Sequence, residues 1–481
     1  MDKIRILLIT AVVLSVASLS NAISIIYVDV NGPNDPGTGT AESPFLKIQN
    51  AINAANVGDI VEIRPGVYTA DPNNYDLDPN GKSITIRSAD PNNPEVVANT
   101  IIDPNGAGRG FYLHSGEDAN CVISGLTIRN ACTAAGVAGY NGAGIYCCYE
   151  SSPTINNCVI QNGYAVHGSG GGICLEDSSA VVMNCTITGN IADYYGGGIS
   201  SSFSSPTIIG CTISGNTAVG EESEGEGGGI DSGASDLNIL NCVIINNNAF
   251  VGGGINCYYP GVTNMLNCTL AKNSADDLGG AVYCWYESSV NIKNSIFWAN
   301  SAGEGAQIGL EDEGTASVTY CNMQGGQTEI FDPYDLLVWG SGNIDADPCF
   351  ALFDVNGDPN LWDFHLQSAY GRWDTNSQNW VYDANTSLCI DAGDPNSDWS
   401  NELWPNGKRI NIGAYGGMNQ ASMNGNRADF DINGTVDFAD FAELSNRWLT
   451  EEICIEDLTS NNLVDFGDVA VFAENWLWYK E

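Results

Sequence analysis

The 481-residue sequence predicts an all-β fold. Its expected form is a parallel β-helix solenoid with an N-terminal capping helix, followed by a small α-helical domain built on two acidic loops. Three observations predict it. A Gly-Gly-Gly-Ile segment, or a near relative, ends at Ile145, Ile173, Ile199, Ile230, Ile255, Val282 and Ile308, in steps of 28, 26, 31, 25, 27 and 26 residues. A second segment, of the type Asn-Cys-Thr-Ile-x-x-Asn, keeps the same step, beginning at Asn157, Asn184, Gly210, Asn241, Asn267 and Asn294. Near the C-terminus a 12-residue acidic pattern occurs twice, starting at Asp429 and Asp457.

Composition bounds the partners. Asp and Glu number 58 against 16 Lys and Arg, a net charge of −42, yet only 15% of residues are charged and 43% are hydrophobic. That excludes a disordered polyanion, because enough apolar side chain is present for a large core. No basic patch exists to release counterions from phosphates, which argues against nucleic acid and anionic membrane as partners. Three histidines leave little for a His-built zinc site.

The chain opens with Lys3 and Arg5, an apolar run from Ile6 to Leu19, and small residues at Ser20 and Ala22. This is the build of a secretory signal peptide over 1–22. The run is shorter than the roughly 20 residues a bilayer core needs, and no later run spans one. A secreted or cell-surface protein without a transmembrane segment after signal removal is expected.

Next comes a lid. Ser43 and Pro44 precede Phe45, Ile48, Ile52 and Ala55, spaced 3, 4 and 3 residues apart. Ser43 is expected to cap a short helix and Pro44 to take its first position. The strand Ile60–Ile63 follows. An open solenoid end exposes unpaired strand edges, which such a helix can cover.

The repeats carry short β-rich runs separated by Gly, Asn and Ser, with no helical period between them. A unit of this size hides its apolar face only by stacking on its neighbours. Seven coils are legible. Stacking implies columns. Asn162, Asn190, Asn216, Asn247, Asn273 and Asn300 are expected to form an inward amide ladder at a turn. Cys158, Cys185, Cys211, Cys242 and Cys268 form a second column, and Cys147, Cys257 and Cys284 a third, read as buried apolar stacks. Glu221 to Glu226 fits the longest step and reads as a looped-out acidic insertion. After Ile308 the repeat decays. The expected organisation is a signal peptide (1–22), the solenoid with its cap (23–325), irregular last coils and a closing cap (326–420), a linker (421–427) and the loop-helix domain (428–481).

The run Asp59-Ile60-Val61-Glu62-Ile63-Arg64-Pro65-Gly66-Val67-Tyr68 and the Gly-Gly-Gly-Ile repeats resemble exported right-handed parallel β-helix proteins of the pectate-lyase-like superfamily. The resemblance covers roughly residues 23–420 and implies the fold. The superfamily contains lyases, hydrolases, epimerases and adhesins, so it leaves the activity open.

The C-terminal loops point to a hard cation. Asp429, Asp431, Asn433, Thr435, Asp437 and Asp440 stand at positions 1, 3, 5, 7, 9 and 12, with Gly434 at 6 for the sharp turn. Ca²⁺ takes six to eight oxygens in such a loop. Asp457, Thr459, Asn461, Leu463, Asp465 and Asp468 repeat the positions, with Thr459 in place of a charged ligand and Asn462 in place of the turn Gly. Two Ca²⁺ sites are expected within 429–468, the second the weaker. Asp at position 12 and an apolar segment after each loop resemble a type I dockerin. That resemblance implies docking onto a cohesin-like module and service to polysaccharide breakdown. Its partner-reading positions hold Phe438-Ala439 and Phe466-Gly467 rather than the frequent Ser-Thr type.

Catalytic candidates come from the Ser-Ser turns (Ser151-Ser152, Ser178-Ser179, Ser288-Ser289). Their alignment puts Glu150, Asp177 and Glu287 in one row, with Tyr149, Tyr259, Trp285 and Tyr286 nearby. Paired carboxyls suit glycoside hydrolysis, and ring faces pack on the C–H faces of sugars. The alternative is a solvated turn edge. A uronate lyase needs a basic residue. Lys272 and Lys293 are the only Lys or Arg between Asn130 and Asn300, and Arg64, Arg87, Arg109 and Arg129 lie earlier. Two functions therefore stand: a polysaccharide-binding or -degrading protein of lyase or glycoside-hydrolase type tethered through its calcium loops, or a non-catalytic adhesive or scaffolding protein.

Overall fold

The computed structural model describes residues 23–34, 36–70, 74–133, 140–220, 225–431, 434–449, 458 and 463–477. The expected signal peptide and the expected ligands Asn433, Asp457, Thr459 and Asn461 lie outside them, as does most of the expected acidic insertion. Among the described residues no helix is long and apolar enough to cross a membrane.

The chain is an all-β parallel solenoid. Sheet one has 12 strands, from Ile25–Val28 to Leu337–Trp339; sheet two has 10, from Gly66–Thr69 to Asn322–Met323; sheet three has 9, from Phe111–Leu113 to Ile330–Phe331. Five two-residue strands, Tyr164–Ala165 to Ser274–Ala275, form a fourth. All pairings in these sheets are parallel, one coil to the next, as in Ile155↔Val182 and Ile160↔Ile187. The solenoid is longer than the seven legible coils, because the outer coils keep the strands and lose the glycines. At the strand spacing, twelve strands span about 53 Å.

Short strands need sharp corners, and left-handed residues supply them. One corner column runs Asn157, Asn184, Gly210, Asn241, Asn267 and Asn294, all with φ between 50° and 61°. The next runs Asn162, Gly189, Gly215, Asn246, Lys272 and Ala299, with φ between 53° and 63°. Asn162 thus belongs to a turn column, one residue before the amide ladder, and it is exposed. The ladder begins at Asn190, where the preceding coil has Gly163, whose N–H donates to Asn190 Oδ1 at 2.8 Å. From there each Nδ2 donates to the next Oδ1, through Asn216, Asn247 and Asn273 to Asn300, at 3.0–3.1 Å.

Inside, isoleucine dominates: Ile160, Ile187, Ile213 and Ile244 from sheet two face Ile173, Ile199, Ile230 and Ile255 from sheet three, all fully buried. Burying each such side chain contributes about 1.5–3 kcal/mol. The cysteine columns lie in this core, and every described cysteine is a free thiol. Backbone N–H groups of Cys158, Cys185 and Cys211 each meet the next Sγ at 3.4 Å.

The N-terminal lid is the helix α1, Ile48–Ala54. It begins later than Ser43 and Pro44 suggest, because Phe45 forms a β-bridge with Val28 and its N–H donates to the Tyr27 carbonyl. Asn74 Oδ1 accepts from Ile48 N–H at the helix start. Lys82 Nζ closes the far end, donating to the Ile52, Asn53 and Ala55 carbonyls at 2.9–3.0 Å. A second helix, α2 (Pro94–Asn99), lies against sheet two.

The closing segment folds back along the flank of sheet two. Phe350, Phe364, Leu366, Cys389, Ile390, Ile412 and Ala414 pack on the outward side chains Val243, Ile245, Ala271 and Ile296. Asn241 Nδ2 donates to the Ala414 and Gly416 carbonyls. The first residues of the expected linker belong to this cap, while Asn426 Nδ2 donates to Asn475 Oδ1 of the last domain. Ser422 Oγ donates to the Leu366 carbonyl at 2.6 Å and Met423 N–H to the Gly371 carbonyl at 2.8 Å.

The last domain contains the helices α3 (Phe438–Asn446) and α4 (Phe466–Glu474), each opened by an Asp capping box. Its core holds Phe430, Val436, Leu444, Leu458, Val464 and Phe472. The halves exchange equivalent contacts. Leu477 N–H donates to the Val436 carbonyl and Leu449 N–H to the Val464 carbonyl, both at 2.9 Å.

Candidate functional site

In a strand, alternate side chains face opposite ways. In sheet three the first residue, an Ile or Val, points inward, so positions one and three beyond it point out. Where the sheet passes through Ile230–Gly233, Ile255–Tyr258 and Val282–Cys284, the outward residues are Asp231 and Gly233, then Asn256 and Tyr258, then Tyr283 and Trp285. Glu311 continues the outer row one coil on. Register pairs Asp231 with Asn256, Asn256 with Tyr283, and Gly233 with Tyr258.

The aromatics form one strip. Trp285 stacks between Tyr258 and Tyr283, at 6.2 Å from each ring. Tyr195 meets Tyr258 at 5.8 Å, and Tyr259 and Tyr286 meet edge-on at 5.0 Å. Tyr283 OH donates to Glu311 at 2.8 Å. Beside the strip lie two carboxylates joined by an amide. Asn256 Nδ2 donates to Asp231 at 2.9 Å and to Glu226 at 2.8 Å. Glu226 comes from the turn before the Gly-Gly-Gly segment, bridged between Tyr195 and Val251. Asp231 is 1% exposed and Glu226 half-buried. Burial pushes the Asp231 carboxyl well above the usual carboxylate range. The neighbouring Glu226 charge adds to this and the Asn256 hydrogen bond opposes it. Two buried polar atoms here have no hydrogen-bond partner among the described residues: Asn256 Oδ1 and Trp285 Nε1.

The sequence-predicted residues divide. Tyr259, Trp285 and Tyr286 belong to the strip; Tyr149 is exposed in another part of the solenoid. Glu150, Asp177 and Glu287 share one left-handed corner column, with φ of 65°, 49° and 63°, and all three are exposed. Glu150 and Asp177 are in adjacent coils, Glu150 N–H donating to the Asp177 carbonyl. Phe203, Ala234 and Tyr259 fill the column between Asp177 and Glu287, which puts Glu287 about 19 Å along the axis at the strand spacing. They do not converge on one bond. Asp231, Asn256, Tyr258 and Tyr283 were missed. Counting outward positions from each Gly-Gly-Gly-Ile landmark would have found them.

Basic residues are engaged elsewhere. Arg64 pairs with Asp29, Arg87 with Glu62, Arg129 with Asp103 and the buried Arg109 with Asp76. Lys293 pairs with Asp394 of the closing cap, and Lys272 occupies a corner on sheet two. Among the described residues no Lys or Arg stands on the Asp231–Glu311 stretch of sheet three.

A second candidate site lies in the last domain. Carboxylate oxygens of Asp429, Asp431 and Asp440 lie within 4.8 Å of one another. Asp440 is fully buried and Asp429 nearly so. Gly434 N–H donates to Asp429 and Phe430 N–H to Asp440, at 3.0 and 2.6 Å. Such a cluster of hard oxygens fits Ca²⁺. Asp437 and Asp465 cap their helices by accepting from Ala439 and Gly467 N–H. Asp468 is fully buried and accepts from Asp465 N–H at 2.8 Å.

Residues 143–323 match the family model of the right-handed beta helix region. Comparison with curated proteins finds no match. Among solved structures the chain is similar to a pectate lyase, Pel9A, at 15% identity and a TM-score of 0.43, covering 81% of this chain and 96% of that one. It is similar to XylC, solved with xylose, at 12% identity and a TM-score of 0.40, covering 69% of this chain and 88% of that one. A rhamnogalacturonan lyase gives 13% identity and a TM-score of 0.31, covering 70% of this chain and 94% of that one.

Proposed function

We propose that the chain is a secreted polysaccharide-active β-helix protein. Its glycan-facing surface is the aromatic strip of sheet three, and it is tethered through a calcium-dependent dockerin-like domain. The observation that carries this reading is the Tyr258–Trp285–Tyr283 stack, in which Trp285 stacks on Tyr258 of the preceding coil and on Tyr283 of its own coil. Flat rings from two adjacent coils, side by side on one outward face, offer a sugar chain apolar surfaces. The orphaned Asn256 Oδ1 and Trp285 Nε1 add an acceptor and a donor beside them, and a sugar hydroxyl supplies the partner for each.

The strip suits neutral rather than acidic sugars. A uronate would bring a carboxylate against Asp231, Glu226 and Glu311 with no Lys or Arg among the described residues of this stretch to pair it. Elimination from a uronate also wants a strong base, which the engaged arginines do not offer. Hydrolysis is therefore favoured over elimination. Tethering rests on the converging Asp429, Asp431 and Asp440 and on the likeness of the paired loop-helix segments to a type I dockerin. Phe438 and Phe466 are 77% and 80% exposed, at the partner-reading positions. They give this domain an aromatic docking surface in place of a hydroxyl one.

The test is binding of the full chain to neutral polysaccharides (xylan, mannan, β-glucan, arabinan) and to polygalacturonate, by affinity electrophoresis, alongside Trp285→Ala. Retardation by at least one neutral polymer, weakened some tenfold in the variant, is expected. Binding only to the polyuronate, or binding untouched by Trp285→Ala, refutes the reading. New reducing ends mark a hydrolase, unsaturated products a lyase, and binding with neither an adhesive protein.

A further inference from the structure

We propose that Asp231 and Glu226 are the acid and the nucleophile of a retaining glycoside hydrolase acting on a neutral glycan, with Asn256 as the positioning residue between them. This rests on the glycan-binding reading of the strip and adds a reaction to it.

The geometry is that of one amide serving two carboxylates. Asn256 Nδ2 donates to both, at 2.9 and 2.8 Å. With one of its two hydrogens on each, the accepting oxygens stand about 5 Å apart, the separation of the carboxyl pair in retaining enzymes. The inverting arrangement needs roughly 6.5–9.5 Å, to admit a water. The environments are unequal. Asp231 points outward from its strand yet is 1% exposed, while Glu226, from the preceding turn, is half-buried. Burial holds the Asp231 carboxyl neutral and able to donate a proton. With Glu226 the more exposed of the two, this assigns Asp231 as the acid and Glu226 as the nucleophile. The pair is more than an acidic cluster, because the fully buried Asn256 that joins it carries an Oδ1 with no partner among the described residues. A sugar hydroxyl donating to that atom fixes the ring beside both carboxyls.

In the first step Asp231 gives its proton to the glycosidic oxygen as the bond from that oxygen to the anomeric carbon breaks. A Glu226 carboxylate oxygen takes the vacated position, forming a glycosyl ester. In the second step water attacks the anomeric carbon and loses a proton to the Asp231 carboxylate, and the ester bond returns its electron pair to Glu226. Both groups end as they began, and the product keeps its anomeric configuration. Entry of the scissile bond requires the Tyr258 ring, which rests over Gly233, to turn aside.

The test uses the full chain with calcium on the neutral polysaccharides named above. Expected results are new reducing ends of retained configuration by proton NMR, and a loss of 1000-fold or more in Asp231→Asn and in Glu226→Gln with binding intact. Azide added to Glu226→Ala should restore turnover and yield a glycosyl azide, an outcome no misfolded variant can give. Asn256→Ala should shift the alkaline limb of the pH profile as well as lower the rate. Inverted product, wild-type turnover in either carboxyl variant, or polymer binding with no cleavage of any neutral glycan would each overturn the assignment. In the last case the binding reading stands; absence of neutral-glycan binding in the wild type sinks both.

Discussion

The Tyr258 ring lies across the bare α-carbon of Gly233, its register partner one coil away. A Cβ built on Gly233 would stand 2.5 Å from Tyr258 Cζ and 2.6 Å from its hydroxyl oxygen. The φ of Gly233 is not in the left-handed region, so the backbone itself would accept alanine. What requires glycine here is the ring seated on it. Tyr258 in turn fixes one end of the Tyr258–Trp285–Tyr283 stack.

Gly233→Ala should therefore disturb the strip without breaking the coil. The Tyr258 ring must lift, and stacking worth about 0.5–1.5 kcal/mol is put at risk. Glycan affinity is expected to fall several-fold in titration calorimetry, while far-ultraviolet circular dichroism is unchanged. Unaltered affinity would mean that Tyr258 is not part of the binding face.

The amide ladder should be costly to interrupt. Asn247 Nδ2 donates to the Ile213 carbonyl and to Asn273, and its Oδ1 accepts from Asn216 N–H and Nδ2. Asn247→Ala leaves several buried groups unpaired at about 1–3 kcal/mol each. Because a solenoid's stability is carried by nearest neighbours, amide exchange should accelerate first in the coils of Asn216 and Asn273. Uniform exchange across the solenoid would contradict this. Asn162→Ala, in the exposed turn column, should have a smaller effect.

The closing cap should weaken as pH rises. Glu402 is buried, and burial pushes its carboxyl up to about 7; the backbone N–H groups of Asn411 and Gly417 oppose this and the Asp391 charge adds to it. The folded value lies above that of an unfolded Glu, so the folded cap favours the protonated form. Its stability is fully present below about pH 4.3 and is lost as pH climbs toward 7. The change is on the order of 3 kcal/mol. Glu402→Gln should flatten the pH dependence of thermal unfolding over that window. A slope unchanged in the variant would show that another group titrates.

Calcium should order the last domain. Titrating the full chain with Ca²⁺ is expected to raise the unfolding temperature of the α3–α4 region, and chelator should reverse it. Asp429→Asn and Asp440→Asn should each weaken binding at the first loop at least tenfold, since each removes a carboxylate from the converging set. Equal affinity in both variants would place the cation elsewhere.

Much of the solenoid was legible because a parallel coil repeats its physics. Each turn must place an apolar side chain inward and a left-handed residue at its corners, so glycine, asparagine and isoleucine recur at fixed steps. The cysteine stacks and the duplicated loop-helix pattern were readable for the same reason. The amide ladder was read one residue early at its first rung. Asn162 and Asn190 look alike in sequence, and only the pairing of Gln161 with Thr188 separates turn from ladder.

What the linear order could not decide was convergence. Glu150, Asp177 and Glu287 are alike in sequence context yet exposed and strung along an axis. Glu226 ends the run that reads as an acidic insertion and Asp231 stands five positions on, just past the repeat's Ile230; one amide from the neighbouring coil, Asn256, joins them. Burial of the sheet-two flank depends on a cap that returns from more than 100 residues away. Period and corner chemistry are properties of the chain. Proximity between coils, and the shift in acidity it brings, belong to the stacked structure alone.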